Sequence, residues 1–285
     1  MNEQSITVIM PLKNYHLNYL KKAVECVINQ SCPYWHLLIV VEKSDFDHFR
    51  ELLENELDDS RIEMIINKGR KLAGAINTGM RYAKTDFVAL LLADDMWSND
   101  AVKVLNDYIA KYLQVDFFHS SRVVIDENDK PISSVHLSKE NFSVDDFKFG
   151  SPIKHLLCWR NNKALSIGGL DESLVVGPDD YDFPWTMAEH NATFKAVKEC
   201  LYYYRNHCDG YRCTTHIPLS VQKREINKIL KKHGVGILSR IIIITKNRAN
   251  GSLGKQCLYR STIDKWIKDK IGYDARRDWR QQKYR

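Results

Sequence analysis

The chain has 285 residues, 44% of them hydrophobic and 27% charged, an ordinary globular composition with enough apolar material for one large α/β domain or two small ones. That balance excludes disorder, collagen-like repeats and a minimal disulfide scaffold. The longest purely apolar run, residues 87–93, falls far below the roughly 20 residues that cross a bilayer, as does the shorter run 241–244. Residues 1–4 lack the basic region and apolar stretch of a signal peptide, so a cytosolic protein is expected.

The seven cysteines are scattered, with no CxxC pair, which fits reduced thiols better than a disulfide framework or a structural zinc. The net charge of +6 is unevenly placed: residues 246–285 hold 12 Lys/Arg against 4 Asp, whereas residues 1–245 hold 30 Lys/Arg against 32 Asp/Glu. This asymmetry argues against a nucleic-acid-binding body. It points the C-terminus toward a local anionic partner, acidic lipid headgroups or a polyanionic acceptor.

The first half alternates short β-rich runs with amphipathic stretches, the pattern of βαβ crossovers and a mostly parallel sheet. Residues 6–10 predict a strand closed by Pro11. Apolar residues at Leu17, Leu20, Val24, Val27 and Ile28 predict a helix, followed by a buried strand over 37–41. A helix over 46–57, a strand over 62–66 and a helix over 71–83 come next. Residues 87–92 are so continuously apolar that they predict a mid-sheet strand with both faces covered.

That strand runs into Ala93-Asp94-Asp95. Ligands of open α/β sheets bind at the carboxyl ends of strands, so this acidic pair is well placed for chemistry. Beyond it the pattern predicts a helix over 98–113 and strands over 116–125 and 131–136 around a turn at 126–130. A loop over 137–151, a short strand over 156–159, a turn at 168–172, a helix over 181–190 and a strand over 193–205 complete the body. The C-terminal helices begin near Pro218 and read as an appendage.

Three groups of residues could carry chemistry. Asp94 and Asp95 could bind a hard divalent cation through oxygen, and such an ion commonly bridges the oxygens of a diphosphate; an Asp-Asp pair also serves as a turn or cap. Asp179, Asp180 and Asp182 crowd the start of a predicted helix. Mutual repulsion raises at least one pKa there, suiting a carboxylate to act as a general base, although acids in a first turn also stabilise the helix end. At a strand end, Tyr202-Tyr203-Tyr204-Arg205-Asn206-His207 could supply an imidazole ligand, or Arg205 and His207 together could hold phosphate.

In this order the pieces resemble the family 2 glycosyltransferases. The opening Thr7-Val8-Ile9-Met10-Pro11-Leu12-Lys13-Asn14, the strand Ile39-Val40-Val41-Glu42, the helix Gly74-Ala75-Ile76-Asn77-Thr78-Gly79 and the DxD-type Leu91-Leu92-Ala93-Asp94-Asp95 carry the likeness. So do the later Gly168-Gly169-Leu170-Asp171-Glu172, the acidic pair Asp179-Asp180 and the closing Tyr204-Arg205-Asn206-His207. The resemblance implies a GT-A fold, Rossmann-like with helices on both faces of a mostly parallel sheet, over residues 1–215, with residues 216–285 a helical, basic extension.

By the same resemblance, Pro11, Leu12 and Lys13 line a nucleotide pocket, Glu42 pairs with the base and Lys71 reaches the diphosphate or base. Asp94 binds Mn2+ or Mg2+, with His207 a candidate further ligand. Asp95 and Asp179 support the metal or donor sugar, and Asp180 is the general base, with Asp182 competing for that role. The implied reaction is transfer from a nucleoside-diphosphate sugar, UDP favoured, with inversion, to a saccharide or lipid-linked acceptor.

Two positions depart from the family. Leu92 stands where the motif often has its first acid, and Asp179 where it has Glu. Leu92 keeps open a non-catalytic relative that binds nucleotide sugars or acts as a scaffold. A dinucleotide-binding dehydrogenase is poorly supported, because Pro11-Leu12-Lys13-Asn14-Tyr15 contains no glycine for close approach to a pyrophosphate. The tail interleaves Trp266, Tyr273, Trp279 and Tyr284 with cations, a pattern suited to peripheral contact with an anionic membrane on its cytoplasmic face.

Overall fold

Apolar residues on both sides of a strand demand cover on both faces, and the first half of the chain supplies it. The computed structural model describes residues 5–13, 15–206 and 217–249. Its strands are β1 (Ile6–Leu12), β2 (Trp35–Val41), β3 (Ile62–Ile66), β4 (Phe87–Leu90), β5 (Met96–Trp97), β6 (Phe117–Ile125), β7 (Leu157–Arg160) and β8 (Phe194–Arg205). Among the described residues they form one sheet in the order β3-β2-β1-β4-β7-β6-β8-β5. The block β3-β2-β1-β4 is parallel, β7 runs antiparallel to both β4 and β6, β6 and β8 are parallel, and β5 is antiparallel to β8.

The two-residue period of the strands sorts their side chains into two cores. Val8, Met10, Leu37, Ile39 and Ala89 face α1 (Leu17–Ile28), α2 (Phe46–Leu52) and α4 (Ala101–Lys111). Ile9, Leu38, Val40, Val88 and Leu90 face α3 (Lys71–Tyr82), α5 (Asn161–Ser166) and α6 (Phe183–Glu189). A third, smaller cluster joins Phe147, Tyr181 and Trp185 to α7 (Leu219–Lys232) and α8 (Ile237–Ala249) through Ile229, Leu230 and Ile243. The α/β, GT-A expectation therefore holds, with β7 and β5 making the second half of the sheet mixed.

Local differences have physical causes. α2 stops at Leu52, and a separate short turn covers Glu56–Asp58, because Glu54-Asn55-Glu56 offers no apolar side chain to the core. The strand expected over 131–136 reduces to isolated bridges, Ile125 with Pro131 and Arg122 with His136. Pro131 lacks a ladder N–H, and the Ser133 hydroxyl takes the Val124 N–H at 2.9 Å. The expected loop over 137–151 contains a helical turn, Val144–Phe149, with a Ser143–Asp146 capping box. β5 had no recognisable sequence signal.

The Gly168-to-Glu172 turn is fastened to α3. Asn77 Nδ2 donates to the Leu170 carbonyl (2.9 Å) and to Glu172 Oε1 (3.0 Å), and Asn77 Oδ1 accepts the Leu170 N–H (2.8 Å). Glu172 Oε2 also accepts the Arg70 N–H at 2.8 Å. Gly69 and Gly74 touch beneath it, since a Cβ on Gly74 would lie 2.4 Å from the Gly69 carbonyl carbon. The turn thus holds the chain that leads to Asp179 and Asp180. Replacing Asn77 with Ala leaves the buried Leu170 amide groups unpaired and should cost about 2–3 kcal/mol, read as a lower urea midpoint with unchanged slope. A change below about 0.5 kcal/mol would show that the turn holds itself.

Candidate active site

β4 ends two residues before a tight turn in which the Asp95 N–H bonds to the Leu92 carbonyl (3.1 Å). The turn leaves Asp94 half-buried and Asp95 1% exposed. Asp95 has both carboxylate oxygens engaged by protein: the Tyr202 hydroxyl donates to Oδ2 at 2.6 Å and the Arg205 N–H to Oδ1 at 2.7 Å. Burial, and then the neighbouring Asp94, push its pKa up to about 7.

Arg205 is fully buried. Its Nε donates to the Asp94 carbonyl (2.9 Å) and Nη1 to the Asp126 carbonyl (2.9 Å), while Nη1 also pairs with Asp129 at 2.6 Å. The guanidinium lies 4.5 Å from the Tyr19 ring centroid. Arg205 is therefore committed to the protein interior, and the expectation that it shares a phosphate with His207 is corrected. His207 lies outside the described residues.

The second acidic group sits on a wide, π-type turn, Pro178–Asp182. Gly177 enters it at φ 65°, and the Asp182 N–H reaches back to the Gly177 carbonyl at 2.9 Å. Such i to i−5 turns occur mostly as single insertions, frequently at functional sites. The turn separates the fates of its acids. Asp182, 1% exposed, is taken by the end of α7, with Lys232 Nζ at 2.7 Å and His233 Nε2 at 3.1 Å. Asp180 stays half-buried, its carboxyl held above the ordinary range by burial first and Asp179 second, against the opposing pull of His155, Arg122 and Lys154.

His155 connects the two groups. Its ring is 3% exposed, with Nε2 3.5 Å from Asp179 Oδ2 and its centroid 5.1 Å from that of Tyr202. The succession Asp95–Tyr202–His155–Asp179 thus runs from the β4 end to the π-type turn. On the same side, burial and then Arg122 push Lys154 down to about 8. Neither His155 nor Lys154 carries a sequence signal: they precede β7, a short strand whose position beside β4 only the topology supplies.

The residues expected around a nucleotide lie at the neighbouring strand ends. Leu12 is buried, Pro11 half-buried and Lys13 exposed at the end of β1. Glu42, just past β2, accepts from Asn67 Nδ2 at 3.0 Å, and Asn67 Oδ1 accepts the Gly69 N–H at 2.8 Å. Lys71 opens α3 at φ 61° and donates from Nζ to the Ser173 carbonyl at 3.1 Å. Among the described residues no three His, Cys, Asp or Glu side chains converge as a metal cluster; of the two expected ligands, Asp94 lies among these residues and His207 does not.

The buried Asp95 gives a signed pH dependence. Its folded pKa is raised, so its stabilising contribution is complete below about 4 and is lost as pH rises toward about 7. Thermal unfolding of wild type and Asp95→Asn should therefore show the wild type's relative stability falling between those limits and levelling above them. A pH-independent difference would contradict this.

Comparison with known proteins agrees with the geometry. The model of glycosyl transferase family 2 matches residues 7–162. The UDP-Glc:alpha-D-GlcNAc-diphosphoundecaprenol beta-1,3-glucosyltransferase WfgD of Escherichia coli is 29% identical over 130 residues, 45% of this chain and 49% of WfgD, so the match spans about half of that protein. Among solved structures, Staphylococcus aureus TarS 1-349 in complex with UDP-GlcNAc superposes with a TM-score of 0.60 at 15% identity, over 92% of this chain and 78% of that one. The mannosyltransferase PcManGT of Pyrobaculum calidifontis, in complex with GDP-Man and Mn2+, gives 0.61 at 14% identity, over 97% and 83%. These structural likenesses establish a common GT-A fold. With its family model matched across more than half its length, the chain belongs to glycosyl transferase family 2.

Proposed function

We propose that this chain transfers a sugar, with inversion at the anomeric carbon, from a nucleoside-diphosphate sugar to a hydroxyl of a saccharide or lipid-linked acceptor in the synthesis of a surface polysaccharide or glycoconjugate. UDP is the favoured nucleotide. The observation that carries the reading is the chain of contacts from Asp95, beside Asp94, through Tyr202 and His155 to Asp179, beside the half-buried Asp180.

Asp180 takes the proton of the acceptor hydroxyl while that hydroxyl's oxygen forms the new bond to the anomeric carbon and the bond from that carbon to the diphosphate oxygen breaks. A carboxyl with a raised pKa is a stronger base than a solvated one and suits this step. Asp179, set against His155, and Asp95, set against Tyr202, support the two sides of the site. Pro11, Leu12 and Lys13 line the nucleotide pocket, Glu42 meets the base and Lys71 the diphosphate or base. Asp94 and His207 would hold Mn2+ or Mg2+, which when bound neutralises charge on the departing diphosphate.

Residues 1–215 form the transferase unit and residues 216–285 the basic extension, which keeps the enzyme in the cytoplasm at the inner face of a membrane. No helix among the described residues is long and apolar enough to cross one. The second reading, a binding module without turnover, is favoured by Leu92, which packs against the α3-side core where the family often has an acid.

Asp180→Asn separates the readings. Loss of transfer by roughly 10²–10⁴-fold with donor affinity changed less than about 3-fold is the expected result, and undiminished transfer would remove Asp180 from the mechanism. In the wild type, kcat/KM should fall on the acid side with a pKa above the ordinary carboxylate value of about 4, because the base must be ionised. An acid limb at or below that value would contradict the assignment.

A further inference from the structure

α8 has two apolar faces, and the described residues cover only one of them. Ile243 is 4% exposed and packs in the cluster with Phe147, Trp185 and Ile229, which fastens the helix to the body. On another side Ile237, Leu238, Ile241 and Ile242 are 65%, 74%, 58% and 53% exposed. Their i, i+1, i+4, i+5 spacing makes one stripe along two turns. Four large exposed aliphatics in one stripe form a patch rather than the scatter normal on a protein surface.

The sequence on both sides of this patch is cationic. No acid occurs between Glu225 and Asp264, an interval holding eight Lys/Arg, and residues 264–285 add eight Lys/Arg against four Asp. A second copy of the chain would bring the same excess of positive charge against the face. An anionic lipid surface meets both features, the stripe through its acyl boundary and the cations through its headgroups.

We propose that the exposed stripe of α8 docks on an anionic phospholipid bilayer, lying in the interface rather than spanning it. The inference deepens the peripheral-membrane part of the reading above and rests on it. It also orients the site. Lys232 and His233, at the end of α7 just before α8, hold Asp182, two residues from Asp180, so the docked helix sets the height of the proposed base above the lipid headgroups.

The test is co-sedimentation of the full chain, without nucleotide, with vesicles of phosphatidylglycerol and phosphatidylcholine or of phosphatidylcholine alone. Three variants accompany the wild type: Ile237→Ser/Leu238→Ser/Ile241→Ser/Ile242→Ser, the milder Leu238→Glu, and Arg276→Gln/Arg277→Gln/Arg280→Gln in the tail. The wild type should prefer anionic vesicles at least ten-fold, and both α8 variants should lose at least ten-fold of that binding with Tm unchanged.

Retained binding in both α8 variants, with loss in the tail variant, overturns the α8 assignment and leaves the basic tail as the anchor. A wild type that ignores anionic vesicles overturns both, while leaving the Asp180→Asn transfer test unaffected. A lipid-free dimer that the α8 variants dissolve assigns the face to a second copy. A lowered Tm with vesicle binding intact in Leu238→Glu assigns it to the chain's own residues 250–285.

Discussion

A single buried cation sets the geometry of the site. Removing a guanidinium from water costs several kcal/mol unless its donors find partners, and Arg205 finds them on several separate pieces of chain. The Asp94 carbonyl lies beyond β4, the Asp126 carbonyl and Asp129 carboxylate lie in the turn after β6, and the Tyr19 ring belongs to α1. Lys22 of α1 closes on the same Asp129. Because β8 ends at Arg205, the strand next to the far edge of the sheet is bound to its centre at the point where Asp94 emerges.

The pair Asp95–Tyr202 rests on that frame and passes its order onward. With Tyr202 held against Asp95, the His155 ring beside it is confined between an aromatic face and Asp179. The π-type turn then divides three nearby acids by environment alone. Asp179 faces His155, Asp182 is locked to the end of α7, and Asp180 keeps partial exposure with a raised pKa. The sequence grouped these acids and left Asp182 as a competitor to Asp180, whereas packing from residues 50 positions away in the chain ties Asp182 to Lys232.

The parallel half of the sheet was legible because continuous apolar runs such as those at 37–41 and 87–90 have few other stable solutions than strands covered on both faces. The position of Asp94 just past a strand end was legible for the same reason, and that of Asp180 from the acidic cluster ahead of a predicted helix, with family likeness supplying their roles. What escaped depends on contacts between distant segments. Arg205 as an interior clamp, His155 as a bridge and the two-residue strand β5 are decided by the order in which β7, β6 and β8 pair. The Gly168-to-Glu172 turn shows the intermediate case: its motif was visible, but its attachment to Asn77 was not.

The proposed transfer requires that the β4 end receive a nucleoside diphosphate. A thermal-shift comparison of wild type and Asp94→Asn with uridine and guanosine diphosphates, with and without Mn2+, addresses it directly. At about 100 times its dissociation constant a nucleotide stabilises by roughly 2.7 kcal/mol, on the order of a few degrees for a chain of this size. A metal-dependent shift with one nucleotide is expected in the wild type, and its loss in Asp94→Asn. No shift with either nucleotide, or an equal shift in the variant, would contradict the proposed transfer.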